Sequence, residues 1–380
     1  MKSYNFLFYL SLLLILLASC EEHKTSQSPT LSVLSFDEAT PLDIKDFVEE
    51  QQYILLSIEE EALFRRVDKL LAVNDHYYLF DHVNDSGVLV FDAQGNFVRK
   101  VGTFGEGPNQ LQSIEDFQVN ENGEILVLDA TQNKIFVYSP TGEWEEGIPI
   151  PVNAGGFVTT ENGWLFAIDK DNQNDTIKDF PKIGSFDTNM KIDSLFYNYP
   201  AGAENANGYY HAGLLSQSSK LISYNRPPDD TISIFSNKGK LIQQLVIDFK
   251  DNKLPIEVVN NIFLLKEIEE KQLDYRYIQS PIKIVQNHAF GLILGTKNDF
   301  WSFSIDLNSK KLYTCKIDFT TLHFPTILFP SAVTPADELV TLIEPISFTA
   351  DTQPEKYPAE VIDHFKNEGS VLLIHTLKAN

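Results

Sequence analysis

Short runs of β-branched and aromatic residues, each broken by a polar turn, recur along most of the chain. Val67 to Val73, Tyr77 to Asp81, Val88 to Asp92 and Phe97 to Val101 have strand length and strand composition. Between them lie Asn74-Asp75, Asn84 to Gly87 and Gln94-Gly95-Asn96, whose Gly and Asn supply the positive φ of tight hairpins. The same four-strand pattern returns over Ile114 to Val119, Ile125 to Asp129, Ile135 to Tyr138 and Trp144 to Ile148. A shared hairpin of one aromatic, a few turn residues and a small residue marks each period. Its leading aromatics, Phe91, Tyr138, Phe186 and Phe235, are 47, 48 and 49 residues apart, and a further copy starts at Ile305, 70 residues on.

Four strands per period of about 45 residues is the pattern of a propeller blade, a unit that hides its two faces only by stacking on its neighbours. The fold expected is all-β: a six-bladed β-propeller with four-stranded antiparallel blades over residues 46–380. The fourth blade falls in Leu221 to Phe249 and the fifth in Ile282 to Phe319. The sixth joins Leu339 to Ile343 and Val371 to Leu377 with the early segment Tyr53 to Ile58, so that both termini close the ring. One stretch breaks the β pattern. Val258, Ile262, Leu265 and Ile268 fit one face of a helix over residues 256–272, a short insertion that accounts for the long interval. Pro358 to Asn367 predicts a second short helix with Pro at its start.

The N-terminus has a different character. Lys2 is followed by an apolar run, Phe6 to Ala18, too short for the roughly 20 residues of a bilayer span. The run ends in Leu17-Ala18-Ser19-Cys20, which resembles the lipobox of bacterial lipoproteins. The resemblance implies a signal peptide over residues 1–19, lipidation of Cys20 and a membrane partner held through the N-terminal lipid. Glu21-Glu22 resemble the surface-export signal of such lipoproteins in Bacteroidetes, which implies the outer membrane of the cell envelope. Residues 20–45 are expected to be a flexible tether.

Composition narrows the function. Of the 380 residues, 30 are Lys or Arg and 53 Asp or Glu, for a net charge of -23. That balance excludes a cationic nucleic-acid surface. Two cysteines provide neither a disulfide framework nor a thiolate metal site. Cys315 sits in the alternating run Leu312 to Ile317 and reads as a buried structural thiol.

Several segments carry a family likeness: Val90 to Phe97, Val101 to Pro108, Asp116-Phe117, Leu126 to Asp129, Asp230 to Ile232 and Val246 to Phe249. They resemble the six-bladed propeller lipoproteins of Bacteroidetes, relatives of the NHL-repeat propellers. The chain departs from that group after its Gly107-Pro108 pair, where Asn109-Gln110-Leu111 replace an acidic and an aromatic residue. The family implies a fold and a location rather than an activity.

Candidate chemistry is sparse. No nucleophile elbow, zinc-protease motif or phosphate loop is present, and the glycine-rich Gly102 to Pro108 reads as a blade crossover. No cofactor and no metal are expected; Asp169 to Asp175 alternates oxygen ligands but lacks the Gly and distal Glu of a calcium loop. In a four-stranded meander the second turns and the crossovers share one face. Here they are the longer, acid- and amide-rich loops, so that face is expected to bind. The candidate ligand-binding residues are Asp85, Asp171, Asp175, Tyr210, His211 and Trp301, with no catalytic residue assigned. The function expected is a non-enzymatic module binding a protein, peptide or glycan. The alternatives are a lyase or hydrolase with His82 or His211 at the central channel, and a structural scaffold docking through the Val258 to Ile268 helix.

Overall fold

The computed structural model describes residues 29–81, 87–170, 177, 180–200, 203, 213–218 and 220–379. Three N-terminal strands come first: β1 (Thr30–Ser35), β2 (Thr40–Pro41) and β3 (Val48–Leu55). Blade 1 holds β4 (Lys69–Val73), β5 (His76–Phe80), β6 (Val88–Asp92) and β7 (Phe97–Val101). Blade 2 holds β8 (Asp116–Val119), β9 (Ile125–Asp129), β10 (Lys134–Tyr138) and β11 (Trp144–Pro149). Blade 3 holds β12 (Ala154–Thr160), β13 (Gly163–Ile168), β14 (Pro181–Asp187) and β15 (Ile192–Asn198). Blade 4 holds β16 (Leu215–Gln217), β17 (Leu221–Tyr224), β18 (Thr231–Ser236) and β19 (Leu241–Asp248). Blade 5 holds β20 (Arg276–Val285), β21 (His288–Gly295), β22 (Asp299–Asp306) and β23 (Leu312–Ile317). Blade 6 is β24 (Ala332–Val333), β25 (Leu339–Ile343) and β26 (Val371–Leu377), completed by β3.

The first strands meet in the order β4, β8, β12, β16, β20, β24 and back to β4, so six antiparallel sheets form a closed wheel. The ring closes as the sequence predicts, with β3 antiparallel to β26 and Ile54 opposite Leu372. A buried apolar cluster fills each junction between blades. The repeat aromatics sit in these clusters: Phe91, Phe186 and Phe235 are at most 1% exposed. Full burial of such a side chain contributes about 2 to 3 kcal/mol, which is why the aromatic recurs.

The turn that follows each aromatic has its own cause. Asp92 Oδ1 accepts the backbone N–H groups of Gln94 and Asn96, both at 2.9 Å. Asp187 does the same for Asn189 and Lys191, and Asp306 for Asn308 and Ser309. Ser139 Oγ accepts from Thr141 and Glu143 in the equivalent place. The side chain thus satisfies donors that a two-strand turn leaves unpaired.

Three expectations change. The tether expected over residues 20–45 includes ordered chain: β1 pairs in parallel with β19, and β2 with β23. Leu34 and Phe36 turn inward, Phe36 packing edge-on to Trp301 at 5.6 Å between ring centroids. With β3 these strands form a belt over the outer edges of blades 4, 5 and 6, covering backbone groups that an edge strand would expose. The single helix expected over residues 256–272 is two, Ile256–Asn260 and Leu264–Glu270. The break falls at Asn261, which is extended (φ -143, ψ 91), and Val258, Ile262, Leu265 and Ile268 still share one buried cluster. Asn-Asn favours such a local break over continued helix. Cys315 is half-buried rather than buried, because it lies on β23, whose outer edge only the short β2 covers. Burial, then the nearby Asp43 charge, pushes its thiol pKa up, against a reactive role. The C-terminal helix is present as Ala359–Lys366 with Pro358 at its N-cap.

Candidate functional site

The six first strands surround an axial channel holding two cavities. The larger, about 620 Å³, opens among the first turns of the blades, at Asn74, Asn120, Glu161, Ser218 and Thr334. The smaller, about 240 Å³, lies at the opposite ends of the same strands, against Asp68, Gly213, Gln279 and Ser331. Leu70 and Lys283 line both, so they form a waist.

Charge is concentrated at that waist. Lys69 of β4 and Asp116 of β8 are equivalent positions in consecutive blades, and the inner ring sets them side by side. Lys69 Nζ donates to Asp116 Oδ1 at 2.6 Å, with both side chains at most 2% exposed. Asp116 also accepts the backbone N–H of Phe117 at 2.9 Å and, through Oδ2, that of Phe157 on β12 at 3.0 Å. Burial draws Lys69 below its ordinary pKa and Asp116 above its own; the attraction between them opposes both displacements. Three hydrogen-bond donors around one carboxylate favour the ionised pair.

Lys283 of β20 is 3% exposed. Among the described residues no hydrogen bond or ion pair reaches its ammonium. Burial, then repulsion from Lys69, brings its pKa down to about 7, with Asp116 pulling the other way. Its strand is irregular at this point: Gln279 faces Leu292 and Lys283 faces Phe290, so three residues, 280–282, oppose Gly291 alone. Such bulges re-aim side chains. Gly291 is required here, since a Cβ would stand 2.6 Å from Ile282 Cδ1. Ser223 Oγ donates to the Ile282 carbonyl at 2.6 Å, fixing the bulge from blade 4.

The wall of the larger cavity is mostly neutral and polar. Gln118, Thr159, Thr160, Ser216 and Gln217 face it, while Glu121, Glu161 and Asp337 stand at its mouth. Two of the amides are already oriented: Gln118 Nε2 donates to the Phe157 carbonyl at 2.8 Å and Gln217 Nε2 to the Thr159 carbonyl at 3.2 Å.

Of the residues singled out from sequence, Cys20, His82, Asp85, Asp171, Asp175, Tyr210 and His211 lie outside the described residues. Trp301 is 8% exposed, and Phe36, the Arg276 guanidinium (5.0 Å) and the Lys316 ammonium (5.6 Å) pack on it. It is a packing aromatic between blade 5 and the belt. The acids of the second-turn face are largely engaged. Asp129 is fully buried and accepts from Gln112 N at 2.7 Å, Gln132 N at 2.9 Å and Ser113 Oγ at 3.1 Å. Asp81 accepts from Arg65 N at 2.7 Å in the matching place of blade 1. Asp169, Asp229, Asp230 and Asp299 pair with Arg226, Lys182, Lys253 and Lys316. Gln110, at the departure from the family pattern, accepts the Gly107 N–H at 2.8 Å and so knots the crossover. No group of three or more metal-ligating side chains occurs among the described residues. The larger axial cavity therefore opens on the face opposite the one expected to bind. Lys69, Asp116 and Lys283 were missed by sequence reasoning; their only signal is an ionisable residue within the first strand of a blade.

A family model described as a domain of unknown function, DUF4934, matches residues 29–369. The chain belongs to the DUF4934 family. Among solved structures, this DUF4934 chain is similar to a Bacteroides fragilis protein described as exported, at 17% identity and TM-score 0.71, over 92% of this chain and 100% of that one. A DUF4221 family member from Bacteroides vulgatus matches at 10% identity and TM-score 0.50, over 88% and 98% of the two chains. Both likenesses concern the fold. No curated protein matches the sequence.

Proposed function

We propose that this DUF4934 propeller is a lipid-anchored binding module of the cell envelope, non-enzymatic, with its ligand site in the axial funnel. The observation that carries the reading is the cavity of about 620 Å³ on a closed ring of strands, within the size range of ligand sites. Its wall of amide and hydroxyl side chains suits a glycan or peptide, which offers matching donors and acceptors. The leader and Cys20 support export and anchoring, and the described part of the chain contains no helix long and apolar enough to cross a membrane. Relationship to the NHL-like lipoproteins, and export as in the Bacteroides fragilis neighbour, belong to the same proposal.

The test is retention of glycans and peptides on the soluble body, Glu21 to Asn380, with Thr160→Tyr to block the funnel and Gln217→Ala to remove a wall amide. Retention is expected to fall at least about tenfold, the cost of one or two polar contacts. Retention that survives both changes but is abolished by changes at Asp85 and Asp171 would move the site to the opposite face. For the anchor, Cys20→Ala should abolish acyl labelling and membrane attachment; persistence of both refutes lipidation.

A further inference from the structure

We infer that the waist of the channel is a built site for a single carboxylate group, received by Lys283 with the Lys69–Asp116 pair behind it. The inference deepens the funnel reading, since the funnel's ligand would supply that carboxylate. Three features carry it. Lys283 is almost wholly buried, lines both cavities and has no partner among the described residues. A buried ammonium without a counter-ion is costly, and evolution ordinarily pairs or removes it. The bulge at 280–282 and the Ser223 bond fix the backbone that carries the lysine to the waist.

The charge count selects the ligand. With Lys69 and Asp116 ionised, and Asp68 on the smaller cavity paired with Arg66 at 2.5 Å, a protonated Lys283 leaves one net positive charge at the waist. A monoanion cancels it; a dianion such as phosphate overshoots. The other first strands, β12, β16 and β24, carry no ionisable residue. On β21, behind Lys283, the only ionisable residue is His288, which is committed to Ser304 at 2.9 Å. At the mouth, Glu121, Glu161 and Asp337 repel polyanions but tolerate a ligand whose only negative end lies deep. The geometry thus fits a neutral body in the funnel and a carboxylate at the waist.

The experiment titrates the full chain in detergent with acetate and N-acetylglycine by calorimetry and thermal shift, at pH 6 and pH 9, with chloride and phosphate as controls. With Lys283 titrating near 7, pH 9 leaves only about one hundredth of it charged, so carboxylate affinity should fall more than about tenfold between the two pH values. Lys283→Met should lose the pH 6 binding, while Lys283→Arg should keep it and lose the pH dependence. Three results overturn the site: no millimolar acetate binding at pH 6, equal binding by chloride or phosphate, or binding unchanged in Lys283→Met. If Lys283→Met does not fold, a pH dependence that persists in Lys283→Arg overturns it. Acetate is small enough to reach the waist without using the funnel wall. Acetate binding with a blank glycan and peptide screen therefore sinks the functional reading alone, and the reverse result sinks the carboxylate site alone.

Discussion

Lys283→Met should stabilise the fold, and the gain should depend on pH. Methionine keeps the straight, unbranched shape of the buried stem and removes only the ammonium. In the folded chain burial and Lys69 hold the Lys283 pKa down at about 7, against an ordinary value of 10.5. That difference corresponds to about 5 kcal/mol of disfavoured charge. Below pH 7 the lysine is protonated in both folded and unfolded chains, and the whole penalty falls on the fold. Between 7 and 10.5 only the unfolded chain binds the proton, so wild-type stability climbs with pH and the penalty disappears. The methionine variant should therefore exceed wild type by several kcal/mol at pH 6 and match it near pH 10. Urea unfolding followed by Trp fluorescence, in buffers without carboxylate, measures the difference. A constant offset across the range, or a less stable variant at pH 6, would refute the account of a buried, unpaired charge at the waist.

Other consequences follow from the same geometry. Asp129→Ala should cost about 1 to 3 kcal/mol in urea unfolding, because it takes the shared acceptor from the part-buried donors of Gln112, Ser113 and Gln132; a loss below about 1 kcal/mol would show that the crossover does not depend on the carboxylate. Gly102→Ala should cost about 1 to 3 kcal/mol by the same assay, since φ is +91 and the new Cβ would stand 2.7 Å from Leu111 Cδ1. Phe235→Ala should cost about 3 to 5 kcal/mol, as its ring is fully buried between blades 3 and 4. A smaller loss would show that this junction repacks.

How much could be read in advance follows from how local each cause is. The strands of blades 1 and 2 were legible almost to the residue because an aromatic, a side-chain-capped turn and alternation are all contained within a few positions, as at Phe91 to Asn96. Ring closure was legible because the chain ran out of strands at one end and had a spare one at the other. The belt was not: Thr30 to Pro41 is polar enough to read as tether, and only the open edges of β19 and β23 make it order. The waist was invisible for a similar reason. Lys69 and Asp116 are separated by 47 residues, and each alone reads as a solvated charge. Only the meeting of first strands from different blades turns them into a buried pair and leaves Lys283 without one. Asp81 and Asp129 stand at the start of loops on the face expected to bind, and sequence does not reveal that their oxygens are spent on backbone donors.

The belt also sets the order in which the molecule would come apart under load. Tension applied from the N-terminal side arrives first at β1, a six-residue rail alongside blade 4, then at the two-residue β2, and only afterwards at β3. The first two can peel while every sheet keeps its four native members. β3 is the clasp of the wheel, and β1 and β2 act as a sacrificial fuse upstream of it.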